Sequence, residues 1–216
     1  MPDPQLNDVW KSLVAPVVGD IESDWCQSAD YYDVYRAVGR ALQPSTILEI
    51  GSRVGHSLIS LAIDNPRLRS MAWIDNESYV AGSNAMAAAN IAASLRRFRP
   101  DWSLPKMAWA ASHELAPVVY GFSELCHIDG DHSYEGKIRD LDFCTSLSPN
   151  WLLLDDYTYH EPVHNAVTDW CLHRGHRLFS IPTFRGMALI PLYRPLEFST
   201  LKLLTLEGGL SVKAVL

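Results

Sequence analysis

No apolar run in this chain of 216 residues approaches the roughly 20 residues that a membrane-spanning helix needs. The first residues, Met1-Pro2-Asp3-Pro4, have neither the basic start nor the apolar core of a secretory leader. Cysteine is scarce. Cys26, Cys126, Cys144 and Cys171 are scattered and form no C-x-x-C pair, which reads as reduced thiols in a cytoplasmic protein. Basic charge is also short: 18 Lys and Arg face 25 Asp and Glu, for a formal net charge of −7. That balance argues against a nucleic-acid partner held through its phosphates. Two nucleotide motifs are missing as well. There is no G-K-[ST], and Arg53 takes the second glycine position of the G-x-G-x-x-G fingerprint. Internal repeats and low-complexity segments are absent. What is present is a chain of one-domain length with 48% hydrophobic residues, enough for a full core.

Two stretches organise that chain: His127-Ile128-Asp129-Gly130-Asp131-His132-Ser133-Tyr134 and Leu154-Asp155-Asp156-Tyr157. Each follows a short apolar run, Leu125–Ile128 and Trp151–Leu154, that ends abruptly in acid. Such runs read as buried parallel strands. Ligands of open α/β sheets bind beyond the carboxyl ends of the strands. If the two strands are neighbours, their carboxylates converge, and carboxylates held close repel unless a cation or a proton lies between them. The pattern points to a hard-metal site with a histidine beside it. Helix capping by Asp129 and Asp131 is the plainer alternative.

Other elements follow from spacing. Residues 1–45 are expected to form an N-terminal helical cap or lid, with a helix lined by Tyr31, Val34, Tyr35, Val38 and Leu42. Trp25, Tyr31 and Tyr32 read as core aromatics before substrate contacts. Thr46–Ile50 is the first strand, and Gly51-Ser52-Arg53-Val54-Gly55-His56-Ser57 turns into a helix, the arrangement of a cofactor loop. Glu49 at the strand end would repel a pyrophosphate and suit a cationic amine. Asp75 ends the second strand about 20 residues after the loop, where acids grip ribose hydroxyls; it also suits a helix cap. Ser112 can cap a short helix and face a ligand. Asp131 or Ser133 caps the helix from Tyr134. Segments His176–Ile181 and Gly186–Pro191 read as a closing hairpin around Thr183-Phe184-Arg185, and the apolar tail 196–216 as an extra strand or a dimer contact.

The residues Ile47-Leu48-Glu49-Ile50-Gly51-x-x-x-Gly55-x-Ser57 resemble motif I of class I S-adenosylmethionine-dependent methyltransferases. His127 to Gly136, Arg139-Asp140-Leu141 and Leu154-Asp155-Asp156-Tyr157 look like the branch of macrocin-type sugar O-methyltransferases and cephalosporin-hydroxylase-like proteins. The resemblance spans roughly Thr46 to Cys171. It implies a Rossmann-like α/β fold over 46–195: a seven-stranded mixed sheet with one antiparallel strand and helices on both faces. It further implies that Glu49, Gly51, Ser52, Gly55, Ser57, Asp75, Ser112 and Asp129 hold S-adenosylmethionine. Asp129, Asp155 and Asp156 would bind Mg2+, and His132 would be the general base, acting with Asp129. Tyr157 and His160 would touch a small hydroxylated substrate, a sugar or natural product, in a possible homodimer. One departure is Pro149-Asn150-Trp151, where relatives often carry Pro-Gly-Gly.

The residue chemistry is consistent with that expectation. A metal-bound hydroxyl is acidified, and a histidine with a pKa near 6.5 can take its proton. Asp155 could instead hydrogen-bond the loop backbone, leaving Asp156 as the main ligand. Two other classes stay open. His160, His164 and Asp156 could hold iron in a hydroxylase-like enzyme of the same fold, or the chain could be a non-catalytic cofactor-binding protein.

Overall fold

The structure is a computed structural model, and it describes residues 29–78, 81–98, 106–108, 112–114, 123–197, 200 and 213–215. Its strands are β1 (Thr46–Ile50), β2 (Ser70–Ile74), β3 (Lys106–Ala108), β4 (Leu125–Ile128), β5 (Trp151–Leu154), β6 (Phe179–Ile181), β7 (Met187–Pro191) and β8 (Lys213–Ala214). They form one sheet in the order β3-β2-β1-β4-β5-β7-β6-β8. The first five are parallel to one another, and β7 runs antiparallel to both β5 and β6. The apolar runs of β4 and β5 are buried along their whole length, which is why they lack a polar-out alternation.

The sheet has eight strands, one beyond the expected seven. The extra strand is the two-residue β8, antiparallel to β6. It gives the outer edge of β6 a hydrogen-bonded partner, where a bare edge would invite foreign pairing. The tail segment 196–216 thus contributes a strand; residues 198–199, 201–212 and 216 lie outside the described residues.

The helices are α1 (Ala29–Leu42), α2 (His56–Ile63), α3 (Ser83–Phe98), α4 (Tyr134–Ser146) and α5 (Glu161–Arg174), with a 3-10 turn at Ser112–Glu114. Alternate strand residues face opposite sides, so two cores form. Ile47, Trp73, Leu125 and Leu153 pack under α1, α2 and α3, against Tyr35, Val38, Leu58, Leu61 and Ile91. Leu48, Ile50, Cys126, Ile128, Leu152 and Leu154 pack under α4 and α5, against Leu141, Cys144, Val167 and Trp170. Each fully buried Leu or Ile contributes about 1.5–3 kcal/mol. The expected cap segment 1–45 is described only from residue 29, and there it is α1, a core helix. Tyr32 packs against this core; Trp25, Cys26 and the side chain of Tyr31 lie outside the described residues. Cys126, Cys144 and Cys171 are buried free thiols.

Helix ends follow local chemistry. Ser133 caps α4 by accepting a hydrogen bond from the Gly136 amide at 3.1 Å. Pro162 sits in the first turn of α5, and Gly175 ends it in the left-handed conformation, φ 69°. Among the described residues, no helix is long and apolar enough to cross a membrane.

Candidate functional site

The chain runs outward from β1 to β3 and then returns to β4 on the other side of β1. The crevice at this reversal is where open α/β sheets bind ligands. A cavity of about 730 Å³ lies there, within the range of small-molecule sites. Gly51, Arg53, Asp75, Asn76, Ser112, Asp129, Gly130 and Asp140 line one part of it; His132, Tyr159, His160 and Arg185 line another.

The first part is framed by the close backbone approach of two loops. Gly51 has φ +82°, and a Cβ there would stand 2.2 Å from the Asp129 carbonyl oxygen. Only glycine lets the β1 and β4 loops approach so closely. Asp75 ties the β1 loop to the loop after β2 by accepting the Arg53 amide at 2.7 Å and the Glu77 amide at 2.7 Å. Glu49, Ser52, Gly55 and Ser57 do not line the cavity. Glu49 is fully buried beneath the loop, accepting from the Ser57 hydroxyl and pairing with His127 Nδ1 at 2.7 Å. It shares the sheet face of Ile47, under α1 and α2, so its carboxylate braces the turn from below. Gly55 caps α2 with φ +82° and packs against Ile91.

Asp140 belongs to the Arg139-Asp140-Leu141 motif of the resemblance, which assigned it no role. It lies one turn along α4 from Gly136 and lines the cavity with Ser112, whose hydroxyl donates to its Oδ1. Its Oδ2 is buried on the side of Gly130. Burial pushes its carboxyl pKa up, against the lowering effect of Ser112.

The second part presents side chains. His132 Nε2 lies 3.1 Å from Asp156 Oδ2 and 3.4 Å from Asp129 Oδ1. Its hydrogen bonds to Asp129 and then Asp156 raise its pKa to about 9. The His160 ring stacks on the His132 ring at 4.8 Å, with its Nε2 3.8 Å from Asp156 Oδ2. Asp156 adopts φ 61°, a left-handed turn just past β5. Arg185 Nη1 reaches both of its oxygens, at 3.1 and 3.3 Å. Burial works to raise the Asp156 pKa, but the His132 hydrogen bond and the Arg185 charge outweigh it, and the pKa is lowered.

Three expected site residues have other surroundings. Asp155 turns inward: its Oδ2 accepts the Tyr35 hydroxyl at 2.9 Å and its Oδ1 accepts the Asp156 amide at 2.8 Å. Burial, and then the Asp156 charge, push its pKa up to about 8. Its carboxylate thus bonds the loop backbone, the arrangement weighed as the alternative to metal ligation. Tyr157 is 2% exposed in the core under α5, with its hydroxyl 3.2 Å from Thr168 Oγ1, so it does not face a substrate. His164 stacks on that buried ring at 4.6 Å, away from His160.

These placements test a metal. His132, Asp156 and His160 offer ligand atoms within 4.8 Å of one another, a two-histidine, one-carboxylate set. Magnesium asks instead for oxygen ligands with open water positions. Asp129, Asp155 and Asp156 do not form such a set, because Asp155 is directed to Tyr35 and Asp156 is paired with Arg185. The residues present do not fit magnesium.

No protein-family model matches the chain, and no curated protein matches it. Solved structures do. A TDP-rhamnose 3'-O-methyltransferase of calicheamicin biosynthesis superposes with a TM-score of 0.62 at 14% identity, over 88% of this chain and 96% of that one. The O-methyltransferase TomG from Streptomyces achromogenes, involved in tomaymycin synthesis and solved with S-adenosylmethionine, gives 0.58 at 16% identity, over 89% and 99%. An O-methyltransferase from Bacillus cereus, solved with S-adenosylhomocysteine, gives 0.59 at 14% identity, over 89% and 93%. The fold is therefore the Rossmann-like fold of class I methyltransferases. Identities this low establish the fold and leave the reaction to the site.

Proposed function

We propose that this chain transfers a methyl group from S-adenosylmethionine to a hydroxyl group of a small molecule. The observation that carries the reading is a single cavity with a backbone wall at β1 and β4 and a carboxylate-held histidine at its other end. Gly51 and Asp75 would border the methionine and ribose end. Ser112 and Asp140 would border the adenine end. When bound, S-adenosylmethionine supplies a methyl group on a sulfonium, whose departure needs no acid catalyst.

The protein has to align the acceptor oxygen and take its proton. His132 Nε2 is engaged by Asp129 and Asp156, which leaves Nδ1 to accept that proton. The two carboxylates hold the ring and favour the imidazolium that forms, as in other carboxylate–histidine pairs. The acceptor oxygen gives its proton to His132 and takes the methyl carbon. The electron pair of the broken sulfur–carbon bond stays on sulfur, so atoms and charge balance. Magnesium has no part in this reading, for the reasons of fit above.

The competing reading is an iron-dependent oxygenase on the same fold, and the His132, Asp156 and His160 cluster favours it. Calorimetric titration of S-adenosylhomocysteine, with and without a chelator, separates the two. Micromolar binding in both conditions is expected for the methyltransferase. No binding, together with stoichiometric iron in the purified protein, would replace it with the oxygenase.

A further inference from the structure

We infer that the acceptor is a hydroxyl on an aromatic ring, stacked on Tyr159 and gripped at its oxygen by Arg185 in the place of a metal ion. This rests on the methyl-transfer reading and names its substrate class. Arg185 is not a loose surface arginine. It is 8% exposed, lines the cavity, and lies between Asp156 and the Tyr159 ring, with its Cζ 5.1 Å from the ring centroid. Its backbone is pinned too: its carbonyl accepts both the amide and the hydroxyl of Thr158, at 3.1 and 3.0 Å. A planar guanidinium fixed in this way is a ready donor to an anionic oxygen.

The chemistry of the acceptor follows from that cation. A metal ion can bring an alkyl hydroxyl, whose pKa lies near the roughly 16 of water, into reach of a histidine. A phenolic hydroxyl starts near a pKa of about 10. The difference is about a millionfold in ionisation, so a guanidinium beside a histidine, with no metal ion, favours the phenol. The walls agree. Tyr159 lines the cavity yet is 53% exposed, and Phe184 beside it, 6.3 Å between ring centroids, is 78% exposed. Tyr159 carries the Arg185 guanidinium over its ring and meets the His160 ring edge-on at 4.8 Å, yet it stays half exposed to the cavity, so its remaining face is offered to a flat ligand.

The test uses the full chain in chelator. Binding of S-adenosylhomocysteine is measured first; failure there overturns the methyl-transfer reading and this inference with it. With S-adenosylhomocysteine bound, 4-nitrophenol is titrated and its phenolate absorbance followed. The expected result is that the bound probe's pKa falls by about one unit. Tyr159→Leu, at an open position that does not threaten folding, should weaken the probe about threefold to tenfold. Arg185→Lys should shrink the pKa shift and raise KM for a phenolic acceptor. In turnover with S-adenosylmethionine, phenols should be methylated in chelator and hexoses should not. Normal S-adenosylhomocysteine binding would leave the parent reading standing while any of three results sinks the inference: methylation of hexoses in preference to phenols, turnover lost in chelator and restored by a divalent ion, or probe binding unchanged in both variants.

Discussion

At the β1 end of the cavity, Glu49 lies sealed beneath the glycine turn and the ligand would meet two close-packed loops; at the other end, His132, His160 and Arg185 line it with side chains. The two ends use carboxylates differently as well. Glu49 braces a loop, whereas Asp129 and Asp156 charge a histidine. A backbone wall reads shape and tolerates little change in the residues that shape it. A side-chain wall sets reactivity, and it can be rewritten one residue at a time. The contrast means that variants at the two ends should fail in different ways.

The largest expected effect tests the side-chain end. His132→Ala should lower kcat by about 10²–10⁴-fold, while affinity for S-adenosylhomocysteine changes by less than about threefold. An equal loss in both would erase the division. At the backbone end, Gly51→Ala forces a left-handed alanine and a Cβ into the Asp129 carbonyl. It should cost about 3 kcal/mol in stability or cofactor affinity, read by denaturant unfolding and calorimetry together. Loss of turnover with normal binding and stability would contradict it. Third, the base form of His132 is needed, and its pKa is raised to about 9. Below that value kcat/KM should rise about tenfold per pH unit and level off above it. A plateau beginning near pH 6.5 would show that the carboxylates do not hold the proton.

The smallest effect concerns Asp155, whose pKa is raised to about 8 in the folded chain. An unfolded aspartate titrates near about 4. Between those values the folded state keeps a proton that the unfolded state has lost, so stability falls as pH rises across the window and stays lowered above it. Asp155→Asn needs no proton. Its stability advantage should grow from pH 4 to 8 and reach about 2 kcal/mol, as followed by urea unfolding at several pH values. A loss of stability at pH 8 would mean that Asp155 serves as an ionised ligand after all.

Much of the fold was legible because its signals are local. The runs 46–50, 125–128 and 151–154 and the glycine turn each announce themselves within a few residues. The site was legible in part. His132 and Asp129 share one loop, so their meeting needs little tertiary information. The direction of Glu49 was also readable: it keeps step with Ile47, and period two places both on the α1 to α3 face. The same alternation opposes a shared direction for Asp155 and Asp156, since neighbours past a strand end diverge. Arg185 was visible only as part of a hairpin tip. Its partner Asp156 is 29 residues away, joined through the antiparallel pairing of β5 with β7, and no local pattern encodes that meeting. Asp140 carried a weak signal, one helical turn after Gly136 on α4.

Gly186 follows Arg185 with φ +73°, and a Cβ there would stand 2.1 Å from Thr158 Oγ1. The address of the cation is therefore written in a residue that carries no charge. Evolution or an engineer can exchange the occupant of position 185, trying a lysine, a histidine or a neutral amide, and each will be delivered to the same spot beside Asp156. An exchange at position 186 moves the delivery itself. The hairpin tip behaves as a socket, with specificity held in one residue and inheritance of the position held in the next.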